Sequence, residues 1–137
     1  MKKVLRVIAG VVAGIVVFFA VFMAVEGFSA IVHPYPADFQ GTHEEIVRQV
    51  KTYPAWVLVV VVPMWMAMIS LTAWTAGKVG GVVSYAIVSV LMTVALFCNL
   101  TMLPYPIWFP MAMWITGPWA VYLGLPKGKT RGVAGPE

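Results

Sequence analysis

The sequence predicts an all-α membrane protein, a bundle of four transmembrane helices with a short amphipathic helix between the first two. Three observations support this fold class. Of the 137 residues, 61% are hydrophobic and 10% are charged, and the mean hydropathy is +0.91. The apolar residues form four long stretches, and these contain a single acidic residue, Glu26. In water such a chain would expose large apolar patches and self-associate, whereas a bilayer accommodates them.

The four stretches cover residues 4–32, 55–76, 82–103 and 107–125, and we treat the chain as one membrane domain, 1–137. A helix needs about 20 apolar residues to cross the hydrocarbon. Helices are expected because lipid offers no hydrogen-bond partners to an open backbone. We therefore predict four spans joined by short connections, with one longer loop at 33–54.

The basic residues predict the orientation of these spans. If the spans alternate, seven basic residues fall on one side of the membrane: Lys2, Lys3, Arg6, Lys78, Lys127, Lys129 and Arg131. Arg48 and Lys51 fall on the other side. The positive-inside rule then predicts that both termini are cytoplasmic. A cleaved signal peptide is the alternative for the N-terminus, but the apolar stretch 7–25 exceeds the roughly 7–15 residues typical of such signals.

The loop at 33–54 contains the signature of a short helix. Thr42 and Glu45 have the spacing of a capping box, and Ile46, Val47 and Val50 fall on one face of the turns that follow. This pattern predicts an amphipathic helix lying on the outer surface. A helix that docks a partner is the alternative.

Spans one and three both end in a proline-tyrosine-proline run, at 34–36 and 104–106. Prolines stop a helix sharply, and a tyrosine between them can seat at the headgroup level. Glu26, the histidine-proline-tyrosine-proline run at 33–36 and the segment 99–109 together resemble small uncharacterised four-span bacterial membrane proteins. The resemblance covers nearly the whole chain. It implies a multi-pass protein of the bacterial cytoplasmic (inner) membrane, and that group has no established activity to carry over.

Glu26 is the first candidate for a functional site. It lies about 10 Å below the outer end of its helix, where a charge costs about 2.5–3.5 kcal/mol on insertion scales unless it faces the protein interior. Asn99 on span three and Pro63 on span two lie at comparable depth, so we expect the three in one polar layer. One interpretation is a proton- or ligand-binding site in an outward-opening cavity. The other is a hydrogen bond between Glu26 and Asn99, contributing roughly 1 kcal/mol.

Small residues on span one predict close helix packing. Gly10 and Gly14, and then Ala20 and Ala24, are each four residues apart and so share a face. Packing within the bundle is the simpler use of these positions, and packing between copies of the chain is the alternative.

The remaining sequence patterns give little indication of a disulfide, a metal site, a cofactor or a nucleic-acid partner. Cys98 is the single cysteine, so one chain forms neither a disulfide framework nor a redox pair. His33, His43 and the neighbouring acids fit no standard ligand spacing, so we predict no metal site and no cofactor. The basic residues cluster where topology requires them, which argues against nucleic acid as a partner. Membrane lipids are the expected partners, with a homo-oligomer left open.

Three function classes follow, and the first two are not enzymatic, because no catalytic constellation is visible. The first is a structural, assembly or lipid-interacting component of the membrane. The alternative is a small proton- or cation-coupled transporter or channel that uses Glu26. The layout is similar to that of small multidrug transporters, which also place a glutamate in the first of four helices. A membrane enzyme acting on lipid would need a nucleophile-base pair that the sequence does not offer.

Overall fold

The computed structural model describes residues 1–126, and this part of the chain is helical without strands. Its five helices are α1 (Lys2–Val32), α2 (His43–Lys51), α3 (Ala55–Gly80), α4 (Val82–Met102) and α5 (Trp108–Leu123). The prediction of an all-α protein is confirmed. Helices α1, α3 and α4 are long and apolar enough to cross a membrane. The chain therefore has the features of a membrane protein with at least these three candidate spans.

Helix α5 is shorter than the stretch 107–125 that we predicted as span four. Its 16 residues rise about 24 Å, less than the roughly 30 Å of a typical hydrocarbon core. The helix ends because the chain turns at Gly124, where the Leu125 N–H bonds to the Tyr122 carbonyl in a tighter turn. Pro126 then follows and cannot continue a helix.

Helix α3 lies at the centre of the fold, because its contacts with α1, α4 and α5 are the most extensive between helices of the described residues. Helices α1 and α3 run in opposite directions. Arg6 near the start of α1 donates a hydrogen bond to the carbonyl of Val79 near the end of α3 (3.1 Å). At the opposite end His33, which follows α1, lies 2.9 Å from the hydroxyl of Thr52, just before α3. We call these the basic end, which carries Lys2, Lys3, Arg6 and Lys78, and the loop end, which carries 33–54 and 103–107.

Two glycines bring α1 into close contact with α3. Gly10 and Gly14 are buried. A Cβ added at Gly10 would lie 2.5 Å from the Cα of Gly80, and one added at Gly14 would lie 3.0 Å from the Cβ of Ala76. Beside this contact the Ser84 hydroxyl, at the start of α4, donates to the Val7 carbonyl of α1 (3.0 Å). The two backbones approach this closely because the residues at the contact are glycines and one alanine.

Ala20 and Ala24 do not take part in this contact, and both are exposed. The reason is the angular position of these residues around the helix axis. Six residues separate Gly14 from Ala20, which rotates the alanine by about 240° around the helix axis. The alanine pair therefore lies on a face of α1 that meets no other helix within the described residues.

Helix α2 begins at the predicted capping box. The Thr42 hydroxyl accepts a hydrogen bond from the Glu45 N–H (3.4 Å), and the Glu45 carboxylate accepts one from the Thr42 N–H (3.0 Å). The backbone N–H of Thr42 lowers the pKa of Glu45 below its ordinary value. The buried Gln49 amide donates to the carbonyls of His33 (3.0 Å) and Pro34 (3.4 Å). This side chain attaches α2 to the end of α1.

Candidate ligand-binding cavity

A cavity of about 330 Å³ lies at the loop end, between α1, α2, α3 and the end of α4. Its walls are mostly apolar or aromatic, with Phe22, Phe39 and Trp65 among them. Seven polar residues also line it: Glu26, Ser29, Tyr35, Gln49, Tyr53, Asn99 and Tyr105. An apolar pocket with a few convergent polar groups is the usual composition of a small-molecule site. The cavity therefore defines the candidate site.

Glu26 is half-buried and faces this cavity from α1, in the last two turns of the helix. The helix ends at the proline-tyrosine-proline run, after which the chain turns back over the cavity. The hydroxyl of Tyr35 then donates a long hydrogen bond to the Glu26 carboxylate (3.4 Å). The Tyr35 ring stacks on Phe39, with ring centroids 4.3 Å apart. The acid thus meets a phenol and aromatic surface rather than lipid alone.

Asn99, which lies on α4, also pairs with a tyrosine. The hydroxyl of Tyr105, from the second proline-tyrosine-proline run, donates to the Asn99 side-chain oxygen (3.2 Å). The direct hydrogen bond that one interpretation placed between Glu26 and Asn99 is not among those of the described residues. Each polar group instead pairs with the tyrosine that follows its own helix, because both runs fold back toward the cavity. That the two tyrosines lie at the headgroup level stays a prediction.

Pro63 lies apart from the other two predicted site residues. It is exposed and does not line the cavity. Val61, two residues earlier, is a lining residue, and two residues rotate a helix by about 200°. Pro63 therefore points away from the site, and α3 continues through it. The polar layer contains Glu26 and Asn99 without the proline.

The tyrosines of the cavity are held in their neutral form. Burial, followed by the negative charge of Glu26, raises the pKa of Tyr35 to about 12 from its usual 10.0. Burial is also the largest cause that raises the pKa of Tyr53 and of Tyr105, and Glu26 adds to both shifts. At neutral pH the three phenols therefore remain protonated and can donate hydrogen bonds.

Five polar members of the site were missed by sequence reasoning: Ser29, Tyr35, Gln49, Tyr53 and Tyr105. The sequence pattern could have indicated two of them, Tyr35 and Tyr105. Each belongs to a proline-tyrosine-proline run that follows a helix whose last turns contain a polar residue, Glu26 or Asn99. Gln49 and Tyr53 carry no comparable pattern. Their place in the site depends on how α2 folds against the end of α1.

The chemistry of this arrangement is that of binding. One carboxylate, two amides and several hydroxyls face a volume enclosed by aromatic and aliphatic walls. No group of three histidine, cysteine, aspartate or glutamate side chains in the part of the chain that the structure describes could hold a metal ion. A ligand with an apolar body and a polar end would match these walls.

Comparison with known proteins gives no match, whether with protein-family models, with curated proteins or with solved structures. The resemblance to small four-span bacterial membrane proteins stays a prediction.

Proposed function

We propose that this protein is a non-enzymatic, lipid-interacting component of the bacterial cytoplasmic membrane, which holds an amphiphile in the loop-end cavity. The observation that carries the proposal is the cavity itself, where apolar walls meet a group of polar side chains around Glu26. Such a site suits a molecule with one apolar and one polar end. Membrane lipids are the most abundant molecules of this kind around a membrane protein.

The proposal includes four spans with both termini in the cytoplasm. Helix α5 is the fourth span. It supports this role by packing along the candidate spans, since Ser70 on α3 donates to the Ala120 carbonyl (2.8 Å) and Tyr85 on α4 to the Val121 carbonyl (2.7 Å). A short span is accommodated when the bilayer thins locally or flanking residues snorkel. The basic end then faces the cytoplasm by the positive-inside rule. The other basic residues of that side, at 127, 129 and 131, lie outside the described residues.

A change that fills the cavity tests the proposal. Leu103 lines the cavity, whereas its neighbour Met102 is 63% exposed. We expect Leu103→Trp to occupy part of the volume and to displace the bound amphiphile, while Met102→Trp places the same ring outside. Native mass spectrometry from mild detergent reads retained lipid and subunit number in one spectrum. The expected result is retained lipid in the wild type and in Met102→Trp, and its loss in Leu103→Trp. Equal retention in all three proteins would contradict the proposal.

A second candidate function is a proton- or cation-coupled transporter, and one observation favours it. Glu26 lines an open cavity and, among residues 1–126, accepts one long hydrogen bond rather than several short ones. For this candidate we expect Glu26→Gln to abolish proton-coupled flux in liposomes while the protein stays folded. A lipid-interacting role predicts a change in lipid retention only. Flux that is absent from the wild type removes this candidate.

A further inference from the structure

We infer that the molecule held in the loop-end cavity carries an organic cation, a substituted ammonium group placed between the Glu26 carboxylate and the aromatic rings of the cavity. This inference rests on the proposed function, because it concerns the chemistry of the same site. Three properties of the cavity carry it: its charge, its aromatic surface and its size.

The first property is the charge. Glu26 is the only charged residue among the described residues that line the cavity, and no lysine, arginine or histidine is among them. The hydrogen bond from Tyr35 comes from a neutral group, so no cationic side chain among the described lining residues pairs with the Glu26 carboxylate. A carboxylate partly removed from water gains most from a cationic partner, because attraction strengthens as the local dielectric constant falls. The complementary occupant is therefore a cation.

The second property is the aromatic surface. Tyr35 and Phe39 form a stacked pair at the cavity wall, and Tyr53, Trp65 and Tyr105 supply further rings from other sides. The faces of aromatic rings carry partial negative charge and attract ammonium groups, particularly those that carry alkyl substituents. A bare metal ion would instead need several hard or imidazole ligands, and the described residues offer no such group. The walls therefore select an organic cation over a metal.

The third property is the size. A volume of about 330 Å³ is at the lower end of the range for small-molecule sites. It accommodates a trimethylammonium or ethanolamine-like group together with a short apolar segment. Such a group arises either from a free organic cation or from the headgroup of a zwitterionic lipid, and the chemistry that recognises it is the same.

Choline and its neutral carbon isostere, 3,3-dimethylbutan-1-ol, separate charge recognition from shape. Calorimetric titration of the detergent-solubilised protein should show that choline binds about tenfold or more tightly than the isostere. Glu26→Gln should weaken choline binding by a similar factor. The matched control is Glu44→Gln, which removes the same charge from an exposed position on α2 and should bind choline like the wild type. Equal binding of the two compounds to the wild type would overturn the inference, and this comparison does not depend on the folding of a variant.

A second experiment, with two lipids, identifies the source of the cation. The protein is placed in nanodiscs that contain phosphatidylcholine and phosphatidylglycerol with identical acyl chains, and retained lipid is identified by native mass spectrometry. A headgroup occupant predicts preferential retention of phosphatidylcholine that Glu26→Gln removes. A free occupant predicts choline binding without a lipid preference. If Leu103→Trp releases lipid but choline binds no better than its isostere, the proposed function holds and the cation inference fails. If Leu103→Trp changes neither lipid retention nor choline binding, both fail.

Discussion

Gly10→Ala is expected to destabilise the protein by about 1–3 kcal/mol, a large effect for one methyl group. The added Cβ would lie 2.5 Å from the Cα of Gly80 and 2.7 Å from the hydroxyl of Ser84. Because a backbone atom cannot rotate away, α1 and α3 have to separate. Their separation would also strain the hydrogen bond from Ser84 to the Val7 carbonyl. Thermal unfolding followed by circular dichroism in a mild detergent should show a clearly lowered Tm.

Gly27→Ala supplies the matched control on the same helix. Gly27 is exposed, and a Cβ added there meets no atom within 4 Å. Alanine favours helix over glycine by roughly 0.5–1 kcal/mol, so this variant should unfold at the wild-type temperature or slightly above it. If Gly10→Ala also unfolds at the wild-type temperature, the close contact between α1 and α3 is wrong.

The positions of the helices were predictable because they depend on local properties of the sequence. Lipid forces backbone hydrogen bonds to close within each segment, so a long apolar stretch predicts a helix of nearly the same bounds. The stretch 4–32 corresponds to Lys2–Val32, and the stretch 82–103 to Val82–Met102. The capping box likewise predicted the start of α2, since its hydrogen bonds join residues three apart. These predictions are confirmed, whereas the fourth span and the orientation stay predictions.

The phase of each helix was less predictable than its length. Gly10 and Ala20 look equivalent as small residues, yet one lies in the helix contact and the other is exposed. Hydrophobic periodicity normally indicates the buried face, but lipid-facing residues are as apolar as buried ones. The apolar pattern of α1 therefore carries almost no directional signal. For the same reason, the sequence did not indicate which face of α3 carries Pro63. We predicted it in the polar layer, and it points away from the cavity.

The composition of the site was predictable only in part. Glu26 and Asn99 stood out because a polar residue within an apolar helix is costly and needs a partner. The partners themselves depend on chain reversal after α1 and α4, which brings Tyr35 and Tyr105 back toward the helices they follow. Reversals of this kind are properties of tertiary structure. A proline pattern predicts where a helix stops, but it does not predict the direction that the chain takes afterwards.

The proposed function depends above all on Glu26 facing a water-accessible cavity that is open at the loop end. In a background where the exposed Cys98 is replaced by alanine, Glu26→Cys places a thiol at this position, and Ala24→Cys places one two residues away on the exposed face of α1. A thiol among acyl chains stays protonated and unreactive, whereas a thiol in a wet cavity ionises and reacts. The two thiols therefore lie at nearly the same depth along α1 but in different surroundings, one in the cavity and the other on the exposed face of the helix.

The direct test is modification of these thiols by a membrane-impermeant trimethylammonium methanethiosulfonate, followed by mass spectrometry. Intact cells expose the outer side of the membrane to the reagent, and inverted vesicles expose the cytoplasmic side. We expect Glu26→Cys to react in intact cells at least about tenfold faster than Ala24→Cys, and to react slowly in inverted vesicles. Reaction of Glu26→Cys only from the cytoplasmic side, or as slow as that of Ala24→Cys from both sides, would contradict the account.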